Sequence, residues 1–301
     1  MPHAATRVHG GDSVLRGIFY LGLAVALFPM QNATAKYLGT RYPLAEILWA
    51  RYTVHLLCCV LFFGPRFGRS LFRTRHPGQQ AVRAALLFLG SVLVFTGLRT
   101  LELPTVAAIG FVAPILVTAL SGPLLGENVG WRRWLAVLAG FVGALIIIRP
   151  GFGVMKWGAV LVLLNAVAYA LYQIISRRVG ADDAAPVSNT LTGIGGVVLA
   201  TPLLAFTHLR LPDNGLDVLL FATIGVWGVT AHLFVTKAYQ WSAASVIAPI
   251  SYGELIGATV LGLVLFHQFP DAPTWAGAAI IIAAGFYITL RERRRRPNSP
   301  S

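Results

Sequence analysis

Several polar and ring-bearing side chains fall inside long apolar runs of this 301-residue chain, where each needs a reason to be present. Glu254 follows Tyr252 by two positions in one such run. A carboxylate in hydrocarbon takes up a proton, meets a cation, or faces water. Glu254 is therefore a candidate to carry a proton or meet a substrate amine, the alternative being a buried partner for a nearby cation. His232 lies five residues after Trp227 and four before Thr236. Histidine exchanges protons near neutrality, and Trp stacks on aromatic or cationic groups; the alternative is a hydrogen-bonded core histidine beside a packing indole. Gln31, Asn32, Asn165, Tyr169, Tyr172 and Gln173 are uncharged donors and acceptors, and the last four recur at helical spacing on roughly one face. They suit the lining of a substrate site. Equally, such groups tie helices together in lipid, for about 0.6–2 kcal/mol each. Glu46 and Arg51, five residues apart, are badly spaced for a direct pair and are expected to be structural charges, with Arg51 holding its helix to a neighbour.

Other chemistries find no support. There is no H-E-x-x-H, no G-x-S-x-G, no nucleotide-binding loop and no metal-ligand spacing, so neither an enzyme nor a cofactor is expected. The two cysteines, Cys58 and Cys59, are adjacent on one apolar run and poorly placed to bridge each other. The net charge of +13 would suggest nucleic acid in a soluble protein, but the basic residues flank apolar runs without aromatic interleaving. They are better understood as topology signals, and the tail from Arg291 to Arg296 as a stop signal against anionic lipid.

The elements that must position these groups are membrane helices. Apolar residues make up 56% of the chain, charged residues only 12%, and the mean hydropathy is +0.70. A span needs about 20 mostly apolar residues. Such runs predict ten: 14–35, 43–64, 81–101, 104–125, 131–149, 157–176, 187–207, 216–238, 242–267 and 274–291. With both termini cytoplasmic, 17 Lys and Arg residues fall inside and 6 outside, and an even number of spans requires the same arrangement. Lys36, Arg99 and Lys237, near helix ends, are expected to snorkel to the headgroups or to stand at the mouths of a pathway.

A shift of 141 positions brings Phe28 onto Tyr169, Asn32 onto Gln173, Lys36 onto Arg177 and Trp134 onto Trp275. Two homologous halves follow, 12–151 and 152–294, each with five spans. Five is odd, so the second half enters the membrane from the opposite side. Inverted repeats are a plan of secondary transporters, with a site near the midplane between the halves. Pro29, Pro114 and Pro249 sit inside spans, with Gly110 and Gly253 nearby, and mark candidate kinks or gates. Gly122-x-x-x-Gly126 and Gly253-x-x-x-Gly257 fit close helix packing within the chain.

The chain resembles the EamA-type transporters of the drug/metabolite transporter superfamily. The resemblance covers nearly its whole length. It rests on Asn32-Ala33-Thr34-Ala35-Lys36-Tyr37-Leu38, on Arg51-Tyr52, on the run from Leu101 through Pro104, Ala107 and Pro114 to Gly126-Glu127, and on Ala243 to Pro249. One departure is His267-Gln268, where the family often has Gly-Glu. The resemblance implies an all-α integral membrane protein with ten helices around a central cavity lined by spans 1, 3, 4, 6, 8 and 9. It further implies a bacterial inner-membrane location and a small-molecule substrate, in a monomer or weak homodimer touching lipid but no nucleic acid. An amino-acid exporter, of broad or aromatic preference, is the expectation; nucleotide-like or methyl-donor metabolites are the alternative, and an intramembrane enzyme a distant third.

Overall fold

Long apolar sequence becomes helix here because a backbone in hydrocarbon must satisfy its own hydrogen bonds. The computed structural model describes residues 11–125, 130–149, 157–180, 182–241 and 248–295. Among these, nine helices are long and apolar enough to cross a membrane, and the shorter apolar stretch Ile250–Phe266 accounts for a tenth. The helices are α1 Gly11–Gly39, α2 Leu44–Phe67, α3 Pro77–Leu98, α4 Leu103–Gly110, α5 Val112–Leu125, α6 Trp131–Ile148, α7 Trp157–Val179, α8 Ala185–Leu204, α9 Gly215–Trp241, α10 Glu254–Phe266 and α11 Ala272–Arg295. No strand occurs among the described residues.

The fourth span is broken. α4 and α5 meet at Phe111, one residue after Gly110, where Pro114 has no N–H to return to the Gly110 carbonyl. The ninth span differs from the expected 242–267. Residues 242–247 lie outside the described residues, Ala248–Gly253 forms a 3-10 turn that includes Pro249, and the α-helix begins only at Glu254. Breaks in spans 4 and 9 thus fall at related depths, and Phe111 and Tyr252, 141 positions apart, meet edge-to-face at 5.0 Å. α1, by contrast, runs unbroken through Pro29.

Packing pairs the halves crosswise. α2 packs on α8, α6 on α11 and α4 on α10, each span against its own repeat relative; α1 packs on α9, and its symmetry equivalent α3 packs on α7. The contacts repeat in detail. Tyr52 seats its ring on Gly196, and His55 lies against Gly193; position 52 is related to 193 and position 55 to 196. The crossing of α3 and α7 sets Gly97 on Val162, and its relative sets Ala238 beside Leu21. Gly143 and Gly277 bring the α6 and α11 backbones together, each facing the other's carbonyl. Gly253 and Gly257 face Val25 and Pro29 of α1, inside the chain; Gly126 lies outside the described residues. Small residues allow such approach in lipid, where packing rather than water exclusion drives association. His267 ends α10 in the left-handed region (φ 53°), which explains why a glycine is common there in the family this chain resembles.

A Cβ at Gly196 would lie 2.0 Å from Tyr52 Cδ1. Gly196→Ala is expected to lower stability by about 1–3 kcal/mol through overpacking. Gly22, where a Cβ meets nothing within 4 Å, is the control and is expected to tolerate alanine. Thermal unfolding of detergent-purified protein, followed by size-exclusion fluorescence, measures both.

Candidate functional site

Two guanidiniums organise the interior. Arg51 of α2 is buried, and its Nη1 donates to Ser91 Oγ of α3. With the Gln31 amide oxygen turned toward it, Gln31 of α1 accepts from Nε at 2.9 Å and Nη2 at 3.1 Å. The Tyr52 and Phe95 rings lie 5.1 and 5.2 Å from the Arg51 guanidinium. Arg51 thus joins α1, α2 and α3, while Glu46, separate from it, accepts the Arg210 backbone N–H at 2.7 Å.

Arg83 of α3 lies two residues past the expected start of the third span, where a basic residue looks like a span-end charge, yet it is only 5% exposed. It donates to Ser176 Oγ (2.6 Å), the Ser188 carbonyl (2.7 Å), Thr192 Oγ1 (2.6 Å) and the Tyr172 hydroxyl (2.8 Å), joining α3 to α7 and α8. Gln31 and Tyr172 are 141 positions apart, so each half offers one acceptor at the same place to one buried arginine.

Rings collect beside these charges. His232 of α9 meets Phe28 at 5.4 Å and Tyr172 at 6.3 Å, both edge-on, and Tyr169 stacks on Tyr172 at 5.6 Å. His55, which the sequence reasoning passed over, is buried with Nε2 3.1 Å from the Asn189 carbonyl oxygen. It stands one helical turn from Arg51, a spacing that was available as a signal. Asn165 Oδ1 faces Gly90 of α3; Asn32, Gln173 and Trp227 are half-buried, with no hydrogen bond or ring partner among the described residues.

Tyr252 and Glu254 stand apart from this cluster. Tyr252 is enclosed by Phe111, by Phe286 at 5.3 Å and by Gly285, against which its hydroxyl packs. Glu254 begins α10 and makes no hydrogen bond or ion pair, so the expected alternative of a fixed cation partner is not realised among the described residues. Lys36 does not snorkel: it is buried and donates to the carbonyls of Leu98 (2.8 Å) and Leu101 (2.6 Å), capping the C-terminal end of α3. Arg99 donates to the Tyr42 carbonyl at 2.9 Å, and Lys237 lies over the Tyr20 ring at 5.4 Å.

Polar clamps cross between the halves at both ends. At one, the Tyr42 hydroxyl donates to Asp217 Oδ2 at 2.8 Å and accepts the Asp213 N–H at 2.8 Å, and Arg41 pairs with Asp217 at 3.3 Å. At the other, Asp183 accepts from Thr74 Oγ1, from Gln80 Nε2 at 2.9 Å and from the Arg75 N–H at 3.3 Å, and His76 meets Asp182 at 2.8 Å. Arg41 and Asp182 are separated by 141 positions, as are His76 and Asp217, so the two contacts are repeat equivalents with basic and acidic residues exchanged. Burial acts to raise the Asp183 carboxyl pKa, but the Thr74, Gln80 and Arg75 hydrogen bonds outweigh it and hold the value below the ordinary 3.8.

Ten helical spans in two crosswise-packed halves, with polar groups at membrane depth, define a polytopic transport fold. The chain belongs to the EamA-like transporter family, whose model matches twice, over residues 15–149 and 156–290. It is 26% identical to the S-adenosylmethionine uptake transporter of Rickettsia prowazekii, over 93% of this chain and 94% of that one. It is 28% identical to the riboflavin transporter of Rhizobium johnstonii, over 93% of this chain and 92% of the relative. A solved structure of 17% identity superposes with a TM-score of 0.65 over 95% of this chain and 99% of its own, which shows the fold. The protein is a multi-pass membrane transporter of small metabolites.

Tyr42→Phe strips a donor from Asp217, whose side chain is fully buried and whose Oδ1 already lacks a partner. A loss of about 1–3 kcal/mol is expected. For Asp183 the sign is fixed by its lowered pKa: its contribution is in place above the ordinary 3.8 and is lost as pH falls through the lower folded value. The stability deficit of Asp183→Asn is therefore expected to stay constant between about pH 6 and 8. Thermal unfolding across that range tests both variants.

Proposed function

We propose that the protein is a secondary transporter of nucleoside-like metabolites, in the class of S-adenosylmethionine, working by alternating access in a bacterial inner membrane with both termini cytoplasmic. The observation that carries this reading is the ring cluster of Phe28, Tyr169, Tyr172 and His232 where α1, α7 and α9 meet. Flat heteroaromatic groups stack on such rings, and Asn32, Asn165, Gln173 and Trp227 supply half-buried polar and aromatic surface for a ribose-like portion. Gln31 and Tyr172 hold the two arginines in place.

The relatives support the same choice. S-adenosylmethionine and riboflavin both join a heteroaromatic ring to a five-carbon polyhydroxylated chain. The expectation of amino-acid export has no such support, and the methyl-donor alternative takes its place. Glu254, a carboxylate without a partner, is available to the sulfonium or ammonium of a cationic metabolite, or to a coupled proton.

The repeat supplies the mechanism. The clamps at Tyr42–Asp217 and at Asp183 close opposite ends, and the broken spans 4 and 9, with Gly110, Pro114, Pro249 and Gly253, lie at the junction of the halves. Rocking of the helices about that junction releases one clamp while the second holds. The two five-helix halves, 12–151 and 152–294, supply the two related conformations.

Counterflow in proteoliposomes tests this function. Vesicles loaded with unlabelled S-adenosylmethionine are expected to accumulate the labelled compound several-fold above protein-free vesicles. Riboflavin is expected to exchange more weakly. Exchange of amino acids alone would overturn the assignment.

A further inference from the structure

Arg51 and Arg83 are both nine-tenths or more buried, and among the described residues neither is paired with a carboxylate. Every acceptor they use among the described residues is neutral: Ser91, Gln31, Gln80, Ser176, Thr192, Tyr172 and the Ser188 carbonyl. His55 and His232 stand in the same region and supply no anion. Two full positive charges at membrane depth with no counter-ion are costly to hold, since hydrogen bonds from neutral groups only partly replace hydration. A guanidinium also has five N–H donors. Arg51 donates from Nε, Nη1 and Nη2 to only two neutral partners, fewer bonds than its five protons allow. The packing therefore holds two cations and leaves the compensating anion to another molecule.

We propose that the Arg51–Arg83 pair recognises a carboxylate on the transported metabolite. Arg51 is the primary contact through its uncommitted N–H donors. Arg83, more fully engaged, holds Tyr172 in position and adds the second charge. The inference rests on the nucleoside-like reading and narrows it: the preferred substrate carries an amino-acid carboxylate as well as a ring. Glu254, which carries no partner of its own, then takes the cationic portion of the same molecule, so the substrate spans two poles of opposite sign. Neutral riboflavin satisfies the rings but neither pole.

The test is proteoliposome exchange with full-length protein and matched substrate pairs that differ only in the carboxylate. The pairs are S-adenosylmethionine with its decarboxylated form, and phenylalanine with phenethylamine; riboflavin is run beside them. The expected result is a preference of about tenfold or more for S-adenosylmethionine over its decarboxylated form, because a site built around a charge rejects the analogue that lacks it. Arg51→Gln is expected to reduce that preference to within about twofold. If Arg51→Gln does not fold, the wild-type ratio alone decides. Equal exchange of both adenosyl compounds would overturn the carboxylate site and leave the nucleoside reading standing. Exchange of phenylalanine but not phenethylamine, with neither adenosyl compound moved, would keep the carboxylate site and overturn the nucleoside reading. Exchange of no pair would overturn both.

Discussion

A guanidinium at membrane depth has no water to fall back on, so its hydrogen bonds must be supplied by the protein around it. Arg51 and Arg83 impose that condition on most of the interior. Between them they engage α1, α2, α3, α7 and α8, which fixes how five helices stand relative to one another. Ser91, Gln31, Thr192 and Tyr172 are polar because the arginines require acceptors. The ring cluster around His232 takes its place from Tyr172, which Arg83 holds. The same constraint explains Lys36, whose ammonium finds its acceptors at the end of α3.

The pseudo-twofold relation between the halves appears as shared positions with exchanged chemistry. A large ring in α2 meets a glycine in α8, and the repeat relative of that glycine is His55, itself seated on the relative of Tyr52. Gln31 serves one arginine and its equivalent, Tyr172, serves the other. Arg41–Asp217 at one end corresponds to Asp182–His76 at the other, with the basic and acidic residues swapped. Each half has diverged to complement its partner, so the geometry of the repeat survives where residue identity does not.

The helices were legible in the sequence because bilayer thickness sets their length and apolar runs reveal it; α6 and α9 fall within a residue or a few of their expected bounds. The repeat was legible through aligned residues such as Trp134 and Trp275. Features made by long-range contact were not. Arg83 looks like a span-end charge until Ser176, Ser188 and Thr192 are brought to it from residues about a hundred positions away. Lys36 looks like a snorkelling lysine until the end of α3 is placed beside it. The late start of α10 was hidden because the 3-10 turn carries no charged residue to mark a break in the run. Of the candidate site, Gln31, Tyr172 and His232 do converge, whereas Tyr252 packs with Phe111 and Phe286, and Glu254 waits unpartnered at a helix start.

The central claim is that the clamps at opposite ends open in alternation. Distance measurement by pulsed electron resonance tests this directly, in a background with Cys58 and Cys59 replaced. One spin-label pair would sit at Thr40 and Leu209, beside the Tyr42–Asp217 clamp, and a second at Gln79 and Gly180, beside the Asp183 clamp. On adding substrate, one distance is expected to lengthen while the other, its clamp still closed, holds. Distances that both stay fixed, or that change in the same direction, would contradict the account.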